Sequence, residues 1–384
     1  MMRRSLAFLF VFTLAAAAPV SAQRGADATP ASPFKLGTFE IAGTPRIGLV
    51  LQDSVIVELE AANRALERDL AYPRLAMPET MRALIGQYEY GLKLRLYEIV
   101  NDVVQNKRAA ATPRPSYIHD VKQVRTLAPL MPGKMLMAAV NFYSHVGEGG
   151  SPEEQKKALE ARRAARGIPY LYIKPTEGVI IGNGENVVLP WGRDRIDWEV
   201  ELGMVIGRAA RYVPASKAQD HVFGYMVTVD ISDRGGRPPG GFQGVDWFVG
   251  KGHDTFGPVG PWIVPKEFYG DPMKSLRQTL SVGGQQMQEG QPGDMIHSTW
   301  ELIEYASSIV TLFPGDVVNA GTSGGVGMGT AVRGKQMFLK AGDVITAAID
   351  GIGTLTIPVV AGPKPPDGTG AYLPPVSSYR KPQQ

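Results

Sequence analysis

The run Asp197-Trp198-Glu199-Val200-Glu201-Leu202-Gly203-Met204-Val205-Ile206-Gly207 constrains this chain more than any other segment. It reads as a strand, and side chains on a strand alternate between faces. Asp197, Glu199 and Glu201 then point one way, and Trp198, Val200 and Leu202 the other. Three carboxylates on one face of an apolar element repel one another unless a cation or basic partners neutralise them. Two carboxylates two residues apart can converge on one ion. A third would come from a neighbouring strand, and Asp230, at the end of the apolar run Phe223–Val229, is the candidate. Oxygen ligands alone favour a hard ion: Mg2+, Mn2+ or Ca2+. The plainer alternative is an exposed edge strand whose carboxylates are solvated.

Composition narrows the setting. The chain is 44% hydrophobic and 20% charged, which excludes a disordered chain, a coiled coil and a collagen-like fibre. Its 45 Gly and 30 Pro among 384 residues favour many turns and short strands over long helices. A net charge of +3 with no basic cluster argues against a nucleic-acid partner. Without cysteine, any nucleophile or metal site must be built from Ser, Thr, Lys, His or carboxylates. Residues 1–22 read as a secretory leader: Arg3 and Arg4, the apolar stretch Leu6–Phe12, then Val20-Ser21-Ala22 as the cleavage site. Cleavage after Ala22 predicts a periplasmic or secreted chain. No later segment approaches the ~18 apolar residues of a membrane span, so no membrane partner is expected after cleavage.

Two regions follow. Alternation at Phe39, Ile41, Ile47, Leu49, Leu51, Val55 and Val57 predicts strands, and Leu84, Tyr88, Leu92, Leu96, Ile99 and Val103 predict a helix over 78–106. Together they predict a small N-terminal α+β domain over 34–110. The second region, 125–362, is richer in strands. It begins with Met135–Val140 and includes Trp198–Ile206, Gly224–Ile231, Gly260–Val264, Gln278–Val282 and Asp343–Ile349. Ser151-Pro152-Glu153-Glu154 opens a helix, with a Ser cap, Pro at the first turn and Glu three after the cap.

Three further segments carry chemistry-bearing residues. In Asn141–Glu148, His145 and Glu148 lie three apart, so a single helical turn brings them together. A carboxylate beside an imidazole fixes its tautomer and raises its basicity, as a water-activating base requires; a lone structural His is the alternative. The loop from Asp230-Ile231-Ser232-Asp233-Arg234 to Lys251 can bring Arg234 and Lys251 to an anionic ligand, or can simply carry surface cations. Gly321-Thr322-Ser323-Gly324-Gly325-Val326-Gly327-Met328-Gly329 lacks the dinucleotide-binding spacing. It is either a backbone-lined turn beside a carboxylate-bearing ligand or merely a tight turn.

In order and spacing, from about 134 to 360, these segments resemble the fumarylacetoacetate hydrolase family. The resemblance rests on Asn141–Glu148, Tyr172-Ile173-Lys174-Pro175, Asp197–Leu202, Asp230–Arg234, Lys251, Asp254–Pro258, Gly315–Val318, Gly321-Thr322, Gly325–Gly327 and Gly351–Gly353. It implies an α+β fold: a β-rich mixed β-roll or barrel-like catalytic domain with the small N-terminal α+β domain, usually in homodimers. It implies Glu199, Glu201 and Asp230 as Mg2+ or Mn2+ ligands, and His145 with Glu148 as a dyad on a mobile lid. It implies Lys251 as a catalytic cation that stabilises an enolate, and Lys174, Arg234 and Thr322 as groups that hold the carboxylate and oxo groups of a small-molecule 2-oxo acid. Where many members carry Gln three residues after the Arg of the D-x-S-x-R element, this chain has Arg237, with Gln243 further along; both bear on the substrate pocket. The implied activity is metal-dependent hydrolysis of a C–C bond in an acylpyruvate-like 2-oxo acid or 1,3-dicarbonyl compound. Isomerisation, hydration or decarboxylation of 2-oxo dicarboxylates is the alternative within the family. A non-catalytic exported oxo-acid-binding protein is the alternative outside it.

Overall fold

A computed structural model describes residues 29–240, 244–329, 334–368 and 373–378. The leader at 1–22 and the pocket candidate Gln243 lie outside the described residues. None of the described helices is long and apolar enough to cross a membrane.

The fold is α+β and strand-rich, with a roll-like body and no closed barrel among the described residues. A 12-stranded sheet runs through it. Near its middle, strand Val200–Ile206 pairs antiparallel with Val222–Val229 on one side and Val317–Asn319 on the other. A five-stranded sheet, including Gln278–Val282, Val344–Ile349 and Gly353–Ala361, forms a second layer.

Strand 200–206 is buried throughout because both of its faces are covered. Val200, Leu202, Met204 and Ile206 pack into a core shared with Leu280, Ile345, Leu355 and Ile357 of the second sheet. Val205 lies in the other core, with Leu84, Leu96 and Val100 of the N-terminal helices. By alternation Glu201 shares the Val205 face, the helix side of the sheet.

The N-terminal strands Lys35–Ile41, Thr44–Leu51 and Val55–Glu58 form a meander. Leu36 pairs with Ile263, so these strands continue the large sheet. The helix expected over 78–106 differs from expectation. It forms Met81–Gln87 and Lys93–Gln105 with a wider turn, Tyr88–Leu92, between them. Gly91 sits there at φ 114°, which a continuous right-handed helix does not permit. The apolar period survives the break, and Leu84, Tyr88, Leu92, Leu96, Ile99 and Val103 are all buried. Glu267 ties this layer down, accepting from Tyr88 Oη at 2.7 Å and Tyr97 Oη at 3.0 Å and pairing with Lys93 at 3.0 Å.

Candidate active site

The acidic run is not one strand. Ile196–Asp197 pairs with Ser232–Asp233, the chain leaves the ladder at Trp198 and Glu199, and the long strand begins at Val200. Asp197 is thereby parted from its neighbours. Its Oδ1 accepts from Gly327 N–H, while its Oδ2 accepts from Met328 N–H at 3.1 Å and from Arg234 Nε at 3.0 Å. Glu199 and Glu201 stay on one face. Val200 opposite Val229 and Glu201 opposite Thr228 set the register, and Asp230 N–H donates to Glu199 O at 2.8 Å. Asp230 therefore falls across from Glu199, and Glu199, Glu201 and Asp230 offer carboxylate oxygens within 4.8 Å of one another, all buried.

Three cations surround this triad. Lys174 Nζ donates to Asp230 Oδ1 at 2.6 Å and to Ile231 O at 3.2 Å. Lys251 Nζ donates to Glu199 Oε2 at 2.7 Å, Asp230 Oδ2 at 2.7 Å and Ser232 Oγ at 2.6 Å. Arg234 bridges Glu199 and Asp197. These contacts divide the triad electrostatically. Burial pushes the Asp230 carboxyl up, but Lys174 and Lys251 outweigh it and hold it below the usual carboxylate range. Glu199 is likewise lowered, Lys251 and Arg234 overcoming its burial. Glu201 has no ion pair among the described residues; burial, then Asp230 and Glu199, push it well above its ordinary value, outweighing Lys251 and the Gly321 N–H.

That imbalance is the structural test of a metal here. With Glu201 ionised, Asp197, Glu199, Glu201 and Asp230 set against Lys174, Arg234 and Lys251 leave the largely buried cluster one excess negative charge. An all-oxygen donor set with that charge fits a hard divalent ion. A carboxylate ligates in its charged form, so the raised pKa of Glu201 couples ion binding to loss of its proton. Calorimetric Mn2+ titrations in buffers of different ionisation enthalpy are expected to report proton release on binding. A buffer-independent enthalpy would contradict the placement of Glu201.

The structure also pairs the expected dyad. His145 Nδ1 lies 2.9 Å from Glu148 Oε2, and His145 is close enough to Glu199 to help lower its pKa. Both dyad residues sit on the loop between the strand Met135–Ala138 and the helix Pro152–Ala164, whose start is the Ser151–Glu154 capping box expected from sequence. Asn141 anchors the loop base, donating to His297 O at 3.0 Å and Ala320 O at 2.8 Å. Ser144 adds a second anchor through its bonds to Asp294.

The glycine-rich segment has a role that spacing did not reveal. Its backbone N–H groups reach both halves of the site. Gly321 N–H donates to Glu201 Oε2 at 3.0 Å, Gly324 N–H to Ser144 Oγ at 2.8 Å, and Gly325 N–H to Glu148 Oε1. The glycines are needed for approach: Gly325 has φ 103°, and a Cβ there would run into Met287 O.

The remaining pocket candidates are spread differently. Thr322 Oγ1 is turned to the backbone, donating to Val200 O at 2.8 Å and accepting from Gln288 Nε2 at 2.8 Å. Arg237 pairs with Asp246 outside the triad. With Arg234, Val245, Trp247 and Lys251 it lines a cavity of about 380 Å3. Tyr172, the first residue of the Tyr172–Pro175 motif, donates its hydroxyl to Asp230 Oδ2.

Residues 134–360 match the sequence profile described as fumarylacetoacetate (FAA) hydrolase C-terminal. A 2,4-didehydro-3-deoxy-L-rhamnonate hydrolase of a Sphingomonas species is 38% identical over 222 residues, 58% of this chain and 71% of that protein. The maleylpyruvate hydrolase of a Sphingobium species, solved in complex with manganese(II) ion and pyruvate, is 26% identical with a TM-score of 0.60, covering 86% of this chain and 100% of that one. The 2-hydroxyhepta-2,4-diene-1,7-dioate isomerase of Mycobacterium marinum is 25% identical with a TM-score of 0.58 at the same coverage. Because the profile match runs through more than half of the chain and takes in both triad-bearing strands, this chain belongs to the fumarylacetoacetate hydrolase family.

Proposed function

We propose that this protein is a divalent-metal-dependent hydrolase that cleaves a carbon–carbon bond in an acylpyruvate-like 2-oxo acid. The observation that carries this reading is the glycine-rich loop, whose N–H groups at Gly321 and Gly325, four residues apart, hold a triad carboxylate and the dyad carboxylate. A substrate seated at the triad then lies next to the imidazole.

A bound Mg2+ or Mn2+ would supply Lewis acidity toward the oxo acid's carbonyl. With the divalent ion in place, the cluster's single negative excess becomes a single positive one, which suits an anionic substrate. His145, its Nδ1 committed to Glu148, keeps Nε2 to take a proton from water. The hydroxide adds to the distal acyl carbonyl. The bond from that carbon to the adjacent methylene breaks, its electron pair passes into the 2-oxo acid as an enolate, and the proton held on His145 returns to the methylene carbon. The products are a carboxylic acid and a pyruvate-type acid. Lys251, whose three N–H groups are held by Glu199, Asp230 and Ser232, contributes its positive charge toward the developing oxyanion. The cavity beside Arg234 and Lys251 gives room for the acyl tail.

The relatives named as hydrolases support this reaction type, and the one named as an isomerase makes enolate rearrangement the competing outcome. The test is incubation of the purified, Mn2+-loaded chain with an acylpyruvate panel, both products being followed. Equal release of pyruvate and the carboxylic acid is expected. Rearranged substrate without fragments would make the protein an isomerase, and no turnover across the panel would leave a binding protein.

A further inference from the structure

Asp230 Oδ2 is the one triad oxygen that accepts two of the described hydrogen bonds, from the Tyr172 hydroxyl and from Lys251 Nζ. Asp230 Oδ1 accepts one, from Lys174. The oxygens of Glu199 accept one each, from Arg234 and Lys251, and Glu201 Oε2 accepts one from Gly321 N–H. A carboxylate oxygen offers two lone-pair sites. Oδ2 is therefore filled, whereas Oδ1 keeps a site for a cation. We propose that Tyr172 is a positioning residue that makes Asp230 a one-oxygen metal ligand, through Oδ1, and that Trp247 holds the Tyr172 ring where it can do so. This inference rests on the metal-site reading above.

The geometry is specific to these residues. Tyr172 and Lys174 are alternate members of strand Leu171–Lys174, paired with Met137 and Met135. They project to the same face and supply donors to the two different oxygens of one carboxylate. Trp247 lies flat against the Tyr172 ring, with centroids 4.2 Å apart and planes 6° apart. Its Nε1 donates to Tyr170 Oη at 3.0 Å, which fixes the indole in its plane. The same short helix, Trp247–Lys251, carries the second donor to Oδ2, so one element sets both the ring and the ammonium. Phenylalanine would keep the stack and lose only the bond to Asp230. A packing role alone therefore predicts that Tyr172→Phe is neutral toward metal.

The experiment uses the full chain and Mn2+ alone, with no substrate. Calorimetry reads the affinity, and electron paramagnetic resonance of the bound ion reads the symmetry of its ligands. Tyr172→Phe is expected to weaken Mn2+ binding about tenfold, as loss of a hydrogen-bond partner of a metal ligand commonly does, and to change the spectrum. Trp247→Leu is expected to move both readouts in the same direction by less. Wild-type affinity and spectrum in Tyr172→Phe overturn the proposal while leaving the metal site standing. Should Tyr172→Phe fail to fold, Trp247→Leu decides, and wild-type behaviour there overturns the proposal. Failure of the unmodified chain to bind Mn2+ overturns the site and the proposal together.

Discussion

Replacing Glu201 with Gln is expected to abolish divalent-metal binding and, in the same protein, to raise the melting temperature of the metal-free form. The opposite signs follow from what surrounds this one carboxylate. Glu201 is buried, its sole described partner is the Gly321 N–H, and Asp230 and Glu199 push its pKa up along with burial. A carboxyl whose folded pKa is raised contributes stability that is full below its unfolded value and lost as pH rises through the folded one. The metal-free wild type is therefore expected to lose stability as pH climbs from the ordinary carboxylate range toward neutrality and beyond. Gln does not titrate, and its side-chain oxygen can still accept from Gly321. The gain in the variant should grow with pH, at roughly 1 °C for each kcal/mol recovered in a chain of this length. Metal affinity should fall by at least ~100-fold, beyond what loss of a mere hydrogen-bond partner of a ligand causes. Asp230→Asn is the contrast. Lys174 is fully buried and donates to Asp230, so removing that charge strands an ammonium whose pKa burial already lowers. A cost of about 3–5 kcal/mol is usual for breaking a buried pair. Thermal melts of both variants with chelator and with Mn2+, across pH, check this. Wild-type Mn2+ affinity in Glu201→Gln, or a fall in its metal-free melting temperature, contradicts the account.

Period and spacing carried the reading of the sequence where the relevant neighbours are close in the chain. Alternation put Glu199 and Glu201 on one face, the Ser151–Glu154 pattern gave a capped helix, and a spacing of three joined His145 to Glu148. Period also extended too far. Asp197 has the right parity, but the ladder breaks at Trp198 and Glu199, so its carboxylate turns to Arg234 and the Gly327 and Met328 amides. The helix over 78–106 has an unbroken apolar period and a broken backbone, because one glycine at positive φ leaves buried side chains in phase. What local pattern could not supply is which distant group neutralises which. Lys174 meets Asp230 across 56 residues, Gly325 meets Glu148 across 177 and Gly321 meets Glu201 across 120. Two of those three donors are backbone amides, which have no residue type to read. The only trace of them in sequence is a run of glycines, and a run of glycines is equally a tight turn.

Substituting His145 with Ala is expected to lower the hydrolytic rate by about 10^2–10^4-fold, the range usual for a positioned general base, while Mn2+ affinity stays within about twofold of wild type. Among the described hydrogen bonds, the two halves of the site are joined through the glycine-rich loop and not through a shared side chain, and His145 is only the last of the influences on Glu199, which is why they should separate. His145 bonds Glu148, Glu148 is held by Gly325 N–H, and Glu201 by Gly321 N–H. Deleting the imidazole leaves all three triad carboxylates and their lysines in place. Glu148→Gln probes the same unit from behind. The carboxylate accepts from Gly325 on one oxygen and faces His145 Nδ1 with the other. An amide has only one oxygen. If it serves Gly325, its –NH2 faces Nδ1, which favours the tautomer whose Nε2 carries a proton and cannot take one from water. If it serves His145, the buried Gly325 N–H loses its bond to residue 148. Glu148→Gln should therefore show much of the kcat loss of His145→Ala with little change in KM, and free imidazole should partly restore His145→Ala but not Glu148→Gln, whose site is still filled by its own ring. A merely structural role for the dyad would move stability and KM together and show no rescue. Full activity in His145→Ala would mean that water, if it is activated at all, is activated elsewhere.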